Sequence, residues 1–184
     1  YHTESAEDFR EFVFMDAAGH TTHLSVVDAR RNAVSLTQTL GTFFGSGLTV
    51  AGVLLNNSRA NFSRTARNNA LAPGKQPRSS ISPTIVTKDG EPVLVVGSPG
   101  ATRITATVVQ LLVNVIDYRM SAADANDAPR FFCQKFEDHL HLEARIAESV
   151  RGQLRALGHP LQVYGDYDLF FGGAQIVRVD RASG

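Results

Sequence analysis

The chain has 184 residues, 43% apolar and 20% charged, and its 18 basic side chains are balanced by 18 acidic ones. That length suits one domain or one chain of a larger one, and the composition excludes wholesale disorder. Zero net charge provides no long-range field toward nucleic acid or an anionic membrane, and a single cysteine, Cys133, excludes an internal disulfide and a cysteine-based zinc site.

Residues 1–20 stand apart. Tyr1 to Asp8 is polar and acidic, Phe9, Phe12 and Phe14 form a short amphipathic patch, and Ala17-Ala18-Gly19-His20 is rich in small residues, so the segment reads as a leader or connector. It lacks the basic stretch and apolar core of a signal peptide. From Thr21 the period is two: Thr22, Leu24 and Val26 alternate with His23, Ser25 and Val27. Ala29-Arg30-Arg31-Asn32 is a turn and residues 33–39 alternate again, which predicts a β-hairpin with Thr21 and Thr39 close together. Residues 41–52 carry Gly41, Gly45, Gly47 and Gly52 and read as irregular, and Val53-Leu54-Leu55 reads as a short buried strand. Residues 56–80 form a long polar loop, a length that in a compact domain signals function or mobility.

Asp89-Gly90 predicts a second hairpin, from residues 82–88 and 92–96. Gly97-Ser98-Pro99-Gly100-Ala101 then leads into a helix whose Ile104, Val108, Leu111, Leu112, Val115 and Ile116 follow helical spacing. A strand, a glycine turn and a buried helix in succession leave backbone N–H groups aimed at one spot. The helix carries Arg103, Gln110, Asn114 and Asp117 nearby and is too short and polar to span a membrane. Ser121 caps a short helix ending at Asp127, residues 131–134 and 139–143 are extended, residues 146–157 are helical with Gly158 as C-cap, and residues 174–180 form a last strand. Strands covered by helices fit an α+β layered sandwich. His139 and His141 share a strand face without a third ligand, so no metal is expected; Cys133, beside aromatics, reads as a buried thiol, and His23 as a strand residue with a structural hydrogen bond.

Four segments carry the functional reading: Thr21-Thr22-His23-Leu24-Ser25-Val26-Val27-Asp28, Leu54-Leu55-Asn56-Asn57, Pro77-Arg78-Ser79-Ser80-Ile81-Ser82-Pro83-Thr84-Ile85-Val86, and Gly97-Ser98-Pro99-Gly100-Ala101-Thr102-Arg103-Ile104. In this order, with Asp127-Ala128-Pro129-Arg130-Phe131 and Gly158-His159, they resemble the small subunit of the gamma-glutamyltranspeptidase family over residues 21 to about 180. Singly, each motif is an ordinary strand, turn or polar loop, and the ordered set is what is specific.

The resemblance implies a four-layer αββα sandwich of N-terminal-nucleophile hydrolase type, about half of it supplied by this chain and the rest by a large subunit cut from the same precursor. It implies cleavage between His20 and Thr21, with Thr21 as nucleophile and its α-amine as base, Thr39 bonded to the nucleophile, Gly100 and Ala101 as oxyanion-hole donors, and Ser79 and Ser80 on the substrate carboxylate. Residues 1–20 become the leader and 21–184 the small-subunit region, with a closing strand expected beyond Gly184. No cofactor is implied, and a periplasmic or extracellular compartment is favoured.

The departures bear on specificity. The family's ligands for the substrate α-amino group fall at Gly41, Ser58 and Asn61, where this chain has no carboxylate. The stretch 62–73 is short, implying a missing lid and an open cleft; Ala101 stands where the family has glycine, and Phe132-Cys133 replaces paired histidines. The expected function is attack by Thr21 on a γ-glutamyl or related acyl amide, with the acyl group passed to water or an amine. The alternatives are a glutaryl- or cephalosporin-type acylase and a non-catalytic binding relative.

Overall fold

In a computed structural model, residues 20–65, 67–134 and 138–180 are described. The chain is mixed α and β. Strands β1 (His20–Val27) and β2 (Ala33–Gly41) pair antiparallel, with Thr21 opposite Thr39 and His23 opposite Thr37. The turn closes on Asp28, whose carboxylate accepts from the Arg30 and Asn32 N–H groups at 2.9 and 2.8 Å. The Asn32 side-chain amide, donating to the same carboxylate at 2.7 Å, and after it these N–H groups hold the Asp28 carboxyl below the usual carboxylate range.

Strands β3 (Thr49–Val50) and β4 (Val53–Leu54) form a two-stranded ribbon inside the glycine-rich segment. The expectation of a buried strand at Val53-Leu54-Leu55 fails: Val53 and Leu55 are exposed, because a two-residue ribbon has no layer to pack against. The long polar loop is organised by two 3₁₀ turns, Ser58–Asn61 and Arg67–Asn69, and by a bridge between Ser63 and Ala70.

The core lies on one face of the sheet made by β5 (Thr84–Lys88), β6 (Glu91–Gly97) and β10 (Gln175–Arg178), in the order β10-β6-β5. Leu94 and Val96 of β6 pack with Ile104, Val108 and Leu111 of α1 (Ile104–Ile116) and Ala125 of α2 (Ala122–Asp127). Helix α1 is rich in β-branched residues and depends on this packing. At ~1.5 Å per residue its 13 residues reach only about 20 Å, short of a bilayer's hydrocarbon core. Ser121 caps α2, accepting from the Asp124 N–H.

The opposite face of β6 carries the β1–β2 hairpin through polar bonds. Ser35 donates to the Val96 carbonyl at 3.1 Å and accepts from the Thr84 N–H at 3.0 Å, and Ser25 donates to the Gln175 carbonyl at 3.3 Å. The order is thus helix, sheet, hairpin. The outer hairpin face is apolar and open: Leu24, Val26, Val34 and Leu36 are 39–51% exposed.

A second sheet, β7-β8-β9, joins β7 (Phe131–Phe132), β8 (Leu140–Glu143) and β9 (Leu161–Tyr164), with β8 and β9 parallel. Between them α3 (Glu148–Ala156) begins two residues later than its apolar spacing suggests and ends at Gly158, whose φ of +89° suits the left-handed cap. The expected buried thiol is a further correction. Cys133 is exposed while Phe132 and Gln134 are buried, since successive side chains in an extended segment point to opposite sides. Of the predicted leader, only His20 lies within the described residues.

Candidate functional site

The hairpin predicted from alternation places Thr21 and Thr39 side by side. Thr21 Oγ1 donates to Thr39 Oγ1 at 3.1 Å. Thr39 Oγ1 in turn donates to the His20 carbonyl at 3.1 Å and accepts from the Gly41 N–H at 2.9 Å. A threonine hydroxyl has one proton and two lone pairs, so Thr39 is fully used and its orientation is fixed. It therefore touches both the Thr21 hydroxyl and the carbonyl of the peptide bond preceding Thr21. These residues face a pocket of about 610 Å³ lined by His20, Thr21, Thr22, Gln38, Thr39, Leu40, Leu54 and Asn56. Among the described residues those walls bear no carboxylate, and the Phe43 ring stands edge-on to His20 at 4.4 Å between centroids.

Gly41 has φ +84°, and a Cβ there would lie 1.9 Å from Asn57 Oδ1. Asn57 fills that space. Its amide accepts from the Thr42 N–H at 3.1 Å and donates to the Thr42 hydroxyl at 2.7 Å, tying the end of β2 to the far leg of the loop. The Asn-Asn pair was visible in the sequence, but this bracing role was not.

The turn 97–101 carries the predicted oxyanion donors. Gly100 has φ +136°, and Ala101, buried, has φ +56°, an αL geometry that glycine adopts more readily. Neither N–H donates to a described group. Ser80 donates to the Ala101 carbonyl at 2.7 Å, so of the predicted serine pair one hydroxyl is bonded to this turn; Ser79 accepts from the Ile81 N–H at 3.1 Å. Ser58 and Asn61 sit in the first 3₁₀ turn, where the Asn61 carbonyl accepts from Asn69 Nδ2. Ser58, Asn61, Ser79, Ser80, Gly100 and Ala101 all lie outside the walls of the Thr21 pocket.

Behind the turn is a group of residues that sequence reasoning missed. Gly172, φ +78°, lies so close that a Cβ would meet the Pro99 carbonyl at 2.1 Å, and one on Gly100 would meet Gly172 Cα at 3.2 Å. Arg130 donates to the Gly172 carbonyl at 3.2 Å and to Asn126, and the buried Glu143 accepts from the Arg130 N–H and pairs with Arg145. Burial pulls the Arg130 pKa down and Glu143 opposes the shift. The signals available in the sequence were the segment Asp127-Ala128-Pro129-Arg130-Phe131, quoted above without a role for Arg130, and Gly172-Gly173.

His23, expected to be structural, is 5% exposed, and burial lowers its pKa. His141 bonds the Tyr164 hydroxyl at 2.9 Å and lies against Phe170.

The chain is similar to several known proteins. The chain is 44% identical over 154 residues to the glutathione hydrolase proenzyme of Escherichia coli K12, covering 77% of this chain and 27% of that protein. It is 40% identical over 142 residues to the Acylase ACY 1 proenzyme of Pseudomonas sp. strain V22, covering 76% of this chain and 25% of that one. A solved mutant of Helicobacter pylori gamma-glutamyltranspeptidase superimposes with a TM-score of 0.79 at 36% identity, over 89% of this chain and 94% of that one. The chain thus spans about a quarter of the length of the curated relatives it matches. The family model described as gamma-glutamyltranspeptidase matches residues 4–183, and the chain belongs to that family.

Proposed function

We propose that this chain carries the nucleophile and oxyanion donors of a self-processing amidase that transfers γ-glutamyl or related acyl groups. The observation that carries the reading is the Thr39 hydroxyl, bonded to both the Thr21 hydroxyl and the His20 carbonyl. In processing, Thr21 Oγ1 attacks the His20 carbonyl carbon, which Thr39 polarises. The hydroxyl proton passes to the Thr21 nitrogen, the C–N bond breaks, and an ester remains on Thr21. Water hydrolyses the ester, leaving a His20 carboxylate, a free Thr21 hydroxyl and a free α-amine.

That amine has an ordinary pKa of ~7.7–8.0, so an appreciable fraction is neutral at working pH. It takes the Oγ1 proton as Thr21 attacks a substrate acyl carbon, and the proton leaves with the departing amine. Gly100 and Ala101 N–H groups stabilise the oxyanion; Ser79 and, once its proton turns from the Ala101 carbonyl, Ser80 hold the substrate carboxylate, and Gly41, Ser58 and Asn61 border its α-carbon. Water or an amine then releases the acyl group. No metal or cofactor enters the scheme. Residues 1–20 act as the leader and 21–184 as the small-subunit region.

The open apolar face at Leu24, Val26, Val34 and Leu36 supports a large-subunit partner that completes a four-layer αββα sandwich. A second reading, transfer of an acyl group lacking the ammonium, is favoured by the lack of a carboxylate among the described residues lining the pocket, and acylase proenzymes are among the relatives. Intact-mass analysis of the full-length protein tests the main reading. Cleavage at His20–Thr21 with turnover of a γ-glutamyl anilide, both lost in Thr21→Ala, supports it; a Thr21→Ala variant that still turns over the anilide sinks it.

A further inference from the structure

The inner face of the β1–β2 hairpin has an unusual chemistry for a surface packed on a sheet. Its side chains are Thr21, His23, Ser25 and Val27 from β1 and Ala33, Ser35, Thr37 and Thr39 from β2, polar at all but the turn end. At its centre the His23 ring sits on Gly97, the last residue of β6. A Cβ on Gly97 would lie 2.2 Å from Cε1, 2.4 Å from Nδ1 and 2.6 Å from Nε2 of that ring. The imidazole therefore occupies the place a side chain at position 97 would need, and only glycine leaves room for it.

Hydrogen bonds hold the ring there. Nδ1 lies 2.7 Å from the Thr37 hydroxyl and Nε2 lies 3.0 Å from the Ser25 hydroxyl. Ser25 uses its one proton on the Gln175 carbonyl of β10. Its oxygen must then accept from Nε2–H; in the neutral ring, the form that burial favours, Nδ1 accepts from the Thr37 hydroxyl. Both nitrogens are satisfied, and the chain of bonds runs from β2 through the ring to β10.

Position gives this contact its consequence. His23 is two residues from Thr21 on the same face of one strand, and Gly97 is three residues before Gly100. We propose that His23 is a positioning residue: seated on Gly97, it sets the strand bearing Thr21 against the turn bearing Gly100 and Ala101. This rests on the reading of Thr21 as nucleophile and of that turn as its oxyanion site. His23 itself makes no bond to Thr21 and takes no proton from it. An apolar plug would fill the same space but allow sliding, whereas two directional bonds admit one seat. A misplacement of about 1 Å between reacting groups costs roughly 10²-fold in rate.

The test measures kcat and KM for a γ-glutamyl anilide in the full-length protein, per active site titrated by the acyl burst, with thermal unfolding as a check on folding. His23→Ala should lower kcat about 10²-fold and change KM less than about threefold, because the substrate's own contacts remain. His23→Gln, which reaches Ser25 with an amide N–H, should recover at least about tenfold of that loss, and it carries the test if the alanine variant does not fold. Gly97→Ala should be as damaging alone, yet cost less than about threefold when added to His23→Ala, since the ring it would strike is gone.

Equal Gly97→Ala losses in both backgrounds would overturn the proposal. So would a His23→Ala effect confined to KM, or a His23→Gln variant that folds without recovering kcat. Parental turnover in Thr21→Ala would instead remove the nucleophile reading on which the proposal stands, so the two failures are distinct.

Discussion

Replacing Thr39 with valine isolates the hydroxyl on which processing depends. Valine keeps the β-branched shape and the strand preference, so the hairpin survives. What is lost is three hydrogen bonds, at 3.1, 3.1 and 2.9 Å to Thr21, His20 and Gly41. At ~0.5–1.5 kcal/mol net each, and toward the lower end because the site is half open to water, the fold loses about 2 kcal/mol. For a domain of this size that lowers Tm by roughly 4–8 °C.

The rate effect comes from the two bonds that touch reacting groups, the Thr21 hydroxyl and the His20 carbonyl. Together they contribute about 1–3 kcal/mol, or roughly 5- to 150-fold in the cleavage rate. Uncut protein is followed by intact mass over time. Thr39→Ser keeps the hydroxyl and should cleave near the parental rate, while Thr39→Val should be slower by the factor above. Cleavage of the valine variant within twofold of parent would refute the argument that Thr39 orients and polarises the reacting pair.

Other outcomes follow from the same geometry. Ala101→Gly relieves a left-handed backbone at φ +56°, and thermal unfolding should show a gain of up to about 1 kcal/mol, or roughly 2–4 °C. Asn61→Asp supplies a charge for a substrate ammonium and should raise kcat/KM for γ-glutamyl over glutaryl anilide by about tenfold; an unchanged ratio would show that Asn61 does not face the substrate. Burial holds the His23 pKa below its ordinary ~6.5, so the unfolded chain binds a proton at higher pH than the folded one. Stability from this residue is complete above that value and declines as pH falls from there toward the folded pKa. Tm measured between pH 8 and 5 should therefore drop more steeply below ~6.5 in the parent than in His23→Gln, and identical slopes would contradict this.

Much of this arrangement was readable from residues alone. Alternation on both sides of an Asp-to-Asn turn fixes a register, and a register fixes that Thr21 meets Thr39. The Asp89-Gly90 hairpin and the Ser121 cap form for equally local reasons. Which face of the first hairpin turns inward was not readable, since the inner face is the polar one and hydrophobicity alone argues the reverse. That inversion depends on main-chain partners at Val96, Thr84 and Gln175, which lie about 50 to 150 residues away. Strand β9 has no local signal of its own, being fixed by parallel pairing with β8. The support of Gly172 and Arg130 behind the turn likewise exists only once distant segments meet.

The central claim is that the Thr21 oxygen carries the acyl group beside its own freed nitrogen. It is tested by quenching the turning-over full-length protein in acid and mapping its peptides by mass. The account predicts a peptide starting at Thr21, with the substrate's acyl mass on the side chain and the amine free. An acyl group on any other residue, or an intact His20–Thr21 bond in the material that turns over, would contradict it.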